Sequence, residues 1–150
     1  FRQTLSSVQT LAKETAAKGM KLCYHNHALE FEVYDGKRTF ERLLEEAPDL
    51  HFIPDTYWMQ VGGVTPADYI RKLKGRVEVC HFKDMRIVNN QQRFAECGTG
   101  NIDFDACYQA CKDIGVQYIV IEQDDCYGLD PYKSVEIGFA GLKRIAERNK

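Results

Sequence analysis

Apolar residues recur at helical spacing through Leu5, Val8, Leu11, Ala12 and Ala16, which predicts a first helix stopped at Gly19. Met20 to His25 then reads as a short buried strand. Phe40, Leu43, Leu44 and Ala47 predict a second helix ended by Pro48, and His51 to Asp55 a second strand. Thr65-Pro66 has the form of a helix start, Thr as N-cap and Pro at the first helical position. Ile70 and Leu73 give that helix its apolar stripe and Gly75 closes it. Val77 to Phe82 predicts a third strand. Asp103 predicts the cap of a helix carrying Phe104, Cys107, Cys111 and Ile114, ended by Gly115. Gln117 to Glu122 is the fourth and most apolar strand. Val135, Phe139, Leu142, Ile145 and Ala146 make a closing helix with Lys and Arg in its last turns, as the helix dipole favours.

Strands that recur with a helix between them belong to a parallel sheet. Two architectures accommodate the four strands and five helices: a small doubly wound sheet, or half of an eight-stranded (β/α)8 barrel. A doubly wound nucleotide fold would carry a glycine-rich phosphate turn after its first strand. This strand runs instead into Tyr24-His25-Asn26-His27, with no glycine. The nucleotide reading loses there.

Composition narrows the function classes. The 150 residues are 44% hydrophobic and 28% charged, ordinary for a globular chain. A net charge of −2 gives no basic field for a phosphate backbone, so no nucleic-acid partner is expected. No apolar run approaches the roughly 20 residues that span a bilayer, so no membrane partner is expected. The start, Phe1-Arg2-Gln3-Thr4, lacks Met and the apolar region of a signal peptide, and reads as mid-domain sequence. None of the six cysteines forms a C-x-x-C pair. They read as small buried core residues of a protein in the reducing cytoplasm.

Polar, metal-competent residues stand just where the predicted strands end. His25, His27 and Glu30 follow the first, Asp55 the second, His81 the third and Glu122 the fourth. In parallel α/β folds the C-terminal strand ends line the site. Each residue also has a plain structural reading: Asp55 after Pro54 fits a turn or cap, and His81 fits a satisfied core histidine. Glu122 directly after Tyr118-Ile119-Val120-Ile121 is harder to explain so, because a buried carboxylate is costly without a partner. Four coincidences at four strand ends favour a metal site. Carboxylates with imidazole and without thiolate suit Mn²⁺, Mg²⁺, Co²⁺ or Zn²⁺. Lys83 reads either as a cation serving the site or as half of an exposed ion pair with Asp84. Trp58 reads as a stacking wall for a bound ring or as barrel core. Gly98-Thr99-Gly100 reads as a turn leading to the Asp103 cap, and Asp124, Asp125 and Asp130 as a solvated loop.

The ordered set YHNHALEF (24–31), PDTYW (54–58), CHFKDM (80–85), GTGNIDF (98–104) and VIEQDD (120–125) resembles the xylose isomerase-like barrel family. That family includes sugar-phosphate isomerase/epimerase-type proteins, inosose dehydratases and family 2 AP endonucleases. The resemblance covers essentially the whole chain and implies the last four β-α units of a (β/α)8 TIM barrel, as a single partial domain. It also implies one divalent metal held by a residue from each of the last four strands, commonly Glu, Asp, His and Glu. Asp55, His81 and Glu122 match the last three. Many relatives carry a Glu within the first of these strands, where this chain has Tyr24-His25. Glu30 is the expected first ligand, with His25 its rival and His27 a substrate contact.

The resemblance implies an isomerase or epimerase acting on a small sugar, keto-sugar or cyclitol. Glu122 is the expected base, with Glu30 or His27 opposite, and His25, His27, Trp58 and Lys83 beside the substrate. A metal-dependent lyase of keto-sugars or inosose is the nearest alternative. An abasic-site endonuclease or a non-catalytic sugar-binding segment stands further off. A barrel of this kind takes about 250 residues. Half of one exposes two strand edges and an apolar face. The chain is therefore expected either to pair as a homo-oligomer or to belong with an N-terminal half barrel.

Overall fold

The computed structural model describes residues 2–150. Its frame is four short parallel strands: β1 (Cys23–His25), β4 (His51–Ile53), β5 (Val79–Phe82) and β8 (Tyr118–Ile121). β1 pairs β4 in parallel, with His25 opposite Ile53, and β5 pairs β8, with His81 opposite Val120. Parallel bridges from Phe52 to Val77 and from Asp55 to His81 join the two pairs. The order is thus β1-β4-β5-β8, an open sheet, with no closed barrel among the described residues.

The helices are α1 (Arg2–Ala16), α2 (Thr39–Glu46), α3 (Thr56–Val61), α4 (Pro66–Lys72), α5 (Phe104–Ile114) and α6 (Pro131–Arg148). The Asp103 cap is formed as the sequence predicts, its side chain accepting the Ala106 N–H at 2.9 Å. Gly115, at φ 78°, ends α5 in the left-handed conformation. Asp130 caps α6 by accepting the Lys133 N–H at 3.0 Å, with Pro131 next. Thr65 precedes α4 as expected, but its side chain makes no capping hydrogen bond.

Strand alternation sorts the two faces of the sheet. Phe52, Cys80 and Phe82 are fully buried against the helices. Phe52 joins Phe31, Phe40, Leu43, Met59, Tyr69 and Leu73 in one core cluster. Phe82 joins Cys80, Phe104, Cys107, Cys111 and Ile145 in a second. Burying such side chains stabilises the fold by about 1.5–3 kcal/mol each. Cys107 and Cys111 share the inward face of α5, as their spacing requires, and all six cysteines are free thiols. The other face carries His81, and on it Tyr118 and Val120 stay 63% and 42% exposed, so no helix among the described residues covers it.

Two antiparallel hairpins and α3 were not expected from the pattern. β2 (Val33–Tyr34) and β3 (Lys37–Arg38) turn at Asp35-Gly36, and β6 (Asp84–Val88) and β7 (Gln91–Ala95) turn at Asn89-Asn90. All four turn residues have positive φ, which a two-residue hairpin of this twist demands and Asn, Asp and Gly supply.

Candidate metal centre

His25 ends β1, Asp55 lies two residues past β4, His81 is in β5, and Glu122 immediately follows β8. Parallel pairing brings these strand ends to one rim. One donor atom from each of the four lies within 4.8 Å of the others. His25 Nε2 is 3.2 Å from Asp55 Oδ2 and 3.9 Å from Glu122 Oε2, and His81 Nδ1 is 2.6 Å from Glu122 Oε2. The span is close to twice the ~2.0–2.3 Å length of a metal–nitrogen or metal–oxygen bond. Small side-chain rotations would therefore suffice to bring all four onto one ion, and two imidazoles with two carboxylates suit a borderline divalent cation.

Buried polar residues fix the rim. Asn26, fully buried, accepts the Asp55 N–H on its Oδ1 at 3.0 Å and so ties the end of β1 to the end of β4. Thr56 ties β4 to β5: its hydroxyl accepts the Lys83 N–H at 3.0 Å and lies 2.9 Å from the Lys83 carbonyl and 3.2 Å from that of His81. Asp55 uses its two oxygens differently. Oδ1 accepts the Trp58 N–H at 3.1 Å, capping α3, and Oδ2 faces His25. The cap reading and the ligand reading of Asp55 are therefore compatible.

The first-strand donor in this group is His25. Glu30 is elsewhere, in the 3-10 turn Leu29–Phe31, where it is buried. Its Oε1 accepts from Tyr24 Oη at 2.6 Å and its Oε2 from the His27 N–H at 2.7 Å. Both oxygens thus hold the loop after β1, and Glu30, the expected first-strand ligand, is not among the four clustered donors. His27 is exposed, and its ring centroid is 5.0 Å from those of His25 and Trp58. Trp58 is half-buried beside the cluster and is not enclosed in the core.

Lys83 is not in an exposed pair with Asp84. Its side chain is 1% exposed and its Nζ lies 2.6 Å from Asp124 Oδ2. The rings of Trp58 and Phe94 flank Nζ at 5.3 and 5.2 Å. Asp124 is thus a solvent-exposed loop residue that also pairs with a buried cation. Asp84, fully buried, accepts the N–H groups of Gly98, Thr99 and Gly100 on Oδ2 and those of Met85 and Ile102 on Oδ1. A Cβ at Gly100 would strike Met85 O and the Asp84 carboxylate. The Gly-Thr-Gly turn thus wraps an internal carboxylate.

Electrostatics follow from these contacts. The Asp55 hydrogen bond lifts His25 above its usual pKa, with burial opposing. Burial pushes the Glu122 carboxyl up, but the His81 hydrogen bond and the Lys83, His81 and His25 charges together hold it below its usual value. Burial lifts Asp84, and the N–H groups of Gly100, Met85, Ile102 and Gly98 only partly offset that.

Sequence reasoning missed Asn26, Thr56, Phe94 and Asp124 as parts of this site. Asn26 lies inside the Tyr-His-Asn-His run and Thr56 directly follows Asp55, so adjacency to a ligand was the available signal. Phe94 arrives only through the β6–β7 hairpin.

A family model for the xylose isomerase-like TIM barrel matches residues 1–145. A comparison with curated protein sequences finds no significant match. Among solved structures, a sugar phosphate isomerase/epimerase from Parabacteroides distasonis is 22% identical, with 93% of this chain and 52% of that one covered at a TM-score of 0.70. A xylose isomerase domain protein from Planctomyces limnophilus is 18% identical over 99% of this chain and 52% of that one, at a TM-score of 0.73. A probable 3-DHS dehydratase from Bacillus anthracis is 17% identical over 97% and 56%, at a TM-score of 0.68. The chain spans about half the length of these structures, and at such identities they show the fold alone. With the open parallel sheet and the family match over nearly its whole length, the chain belongs to the xylose isomerase-like TIM barrel family.

Proposed function

We propose that the chain is the C-terminal, metal-binding half of a divalent-metal-dependent isomerase or epimerase acting on a small sugar, keto-sugar or cyclitol. The observation that carries this reading is the convergence of His25, Asp55, His81 and Glu122 within 4.8 Å at four parallel strand ends. These four would hold Mn²⁺, Mg²⁺, Co²⁺ or Zn²⁺, with His25 in the first-strand role. A bound divalent cation would supply Lewis-acid polarisation of a substrate carbonyl and its neighbouring hydroxyl, acidifying the C–H between them.

The chain's own groups supply the rest. Glu122, held as a carboxylate by His81, Lys83 and His25, is the proposed proton acceptor. His27 is the proposed group opposite, because Glu30 has both oxygens engaged by Tyr24 and the His27 backbone. Trp58 would present an aromatic wall to the sugar. Return of the proton to the neighbouring carbon gives isomerisation, and return to the opposite face gives epimerisation. Loss of a β-oxygen substituent gives elimination, so a lyase is the nearest second reading; the likeness in fold to a probable dehydratase favours keeping it. Among the described residues no helix is long and apolar enough to cross a membrane.

β1 and β8 each pair on one side only among the described residues, so a closed substrate pocket needs a further half barrel. Metal analysis of the protein beside Asp55→Ala and His81→Ala tests the centre. Both substitutions should lower bound divalent metal, and the reading fails if neither does. A nicking assay on abasic DNA with divalent metal should show no cleavage.

A further inference from the structure

Lys83 is a buried cation aimed at the proposed metal donors. Its backbone is clamped by Thr56, and its Nζ lies 5.3 and 5.2 Å from the ring centroids of Trp58 and Phe94. Three carboxylate oxygens lie within 4 Å of Nζ: Asp124 Oδ2 at 2.6 Å, Glu122 Oε2 at 3.7 Å and Asp55 Oδ2 at 3.8 Å. Only the first is at hydrogen-bond distance. The other two are the same oxygens that meet His81 and His25.

We infer that Asp124 is a positioning residue that tethers the Lys83 ammonium and so keeps Asp55 and Glu122 available to the cation; this rests on the proposed metal centre. Two carboxylates, Asp55 and Glu122, match the charge of one divalent ion, and Lys83 and Asp124 cancel one another. A side chain 1% exposed cannot turn to water when Asp124 is removed. An unpaired buried charge is costly, so the ammonium moves onto the nearest remaining anions. Those are Glu122 and Asp55, and a lysine bound there competes with the metal for the same lone pairs. Asp124, on the loop after β8, is itself 39% exposed, so replacing it leaves the core packing intact.

The test is Mn²⁺ titration, by calorimetry, of the chelator-stripped protein and its variants. Asp124→Asn should weaken Mn²⁺ binding about tenfold, and Asp125→Asn, which removes the same charge one residue on, should change it less than about twofold. In a Lys83→Met background the effect of Asp124→Asn should shrink to less than about twofold. A full Asp124→Asn effect persisting without Lys83 would mean that the carboxylate acts through space, and would overturn the tether. Wild-type affinity in Asp124→Asn would overturn it equally. If the wild-type protein binds none of Mn²⁺, Mg²⁺, Co²⁺ and Zn²⁺, the proposed function fails, and a crystal structure of Asp124→Asn still decides the tether. The same structure decides it if Lys83→Met does not fold. Nζ moved onto Glu122 or Asp55 supports the tether, and Nζ left in its original place overturns it.

Discussion

His25 Nε2 stands 3.2 Å from Asp55 Oδ2, while the other Asp55 oxygen caps α3 through the Trp58 N–H. The rim therefore takes its first-strand donor from inside the Tyr-His-Asn-His run. Glu30, five residues on, has both oxygens hydrogen-bonded, to Tyr24 Oη and the His27 N–H. The two residues should separate cleanly by experiment. His25→Ala should weaken Mn²⁺ binding by at least about tenfold while leaving the unfolding midpoint nearly unchanged. Glu30→Gln should keep metal binding within a few-fold and lose about 1–3 kcal/mol of stability, because Tyr24 Oη and the His27 N–H lose a charged acceptor. Calorimetric metal titration and urea unfolding of each variant read both quantities.

Asp84 should be the most stability-critical carboxylate of the loop region. It collects five backbone N–H groups from Met85, Gly98, Thr99, Gly100 and Ile102. Asparagine offers one oxygen, and its NH₂ must face donors. Asp84→Asn should cost about 2–4 kcal/mol in urea unfolding. Asp103→Asn is the contrast, since Asn caps a helix about as well as Asp, and should fall within about 0.5 kcal/mol of the parent.

What the sequence made legible is the frame, because alternating βα units carry strong periodicity and their caps are local. Asp103, Gly115 and the four strands needed only nearest neighbours to be read, and Asp55, His81 and Glu122 were legible because strand ends converge in any parallel sheet. His25 against Glu30 was undecidable from spacing, since the choice turns on where a 3-10 turn sends one carboxylate. The hairpins were legible in principle at Asp35-Gly36 and Asn89-Asn90, but the first has strands of only two residues and Gln91-Gln92-Arg93 of the second shows no alternation. Lys83 and Asp124 are 41 positions apart, and only the β5–β8 pairing brings them together.

The pH dependence of stability should carry the signature of His51. Burial, with the Lys21 and Arg76 charges nearby, holds its pKa below the usual 6.5, and its Nδ1 is buried without a partner. The unfolded chain therefore takes up the proton first as pH falls. The contribution is fully present above about pH 6.5 and is lost as pH drops through the lower folded value. In metal-free protein His25, whose pKa is raised, runs the other way: its contribution is present below pH 6.5 and lost on raising pH. Urea midpoints at pH 7.5 and 5.5 should fall on acidification less in His51→Gln than in the parent, and the difference between the two proteins isolates His51. Equal slopes would remove His51 from the account.

Two glycines one turn apart in α6 should respond to alanine with opposite signs. In a helix interior alanine is favoured over glycine by about 0.8–1.0 kcal/mol, so the default expectation is a gain at both. At Gly138 the nearest atoms to an added Cβ are Cys97 N at 3.5 Å, Ile121 Cδ1 at 3.6 Å and Cys97 Cβ at 3.8 Å, all ordinary contacts. At Gly141 the same methyl would land on the Cys97 carbonyl, which is backbone and cannot rotate away. Gly98, whose Cα would lie 3.5 Å from that methyl, has φ 78° and fixes the turn in place. Relief requires α6 to lift off the turn that ends at the Asp84 carboxylate, and overpacking of this kind costs about 1–3 kcal/mol or more. Gly138→Ala should therefore raise stability by about 0.5–1 kcal/mol, and Gly141→Ala should lower it by about 2 kcal/mol. Thermal and urea unfolding of the two single variants decide it: a gain at Gly141 would mean that α6 does not dock on Cys97 as described.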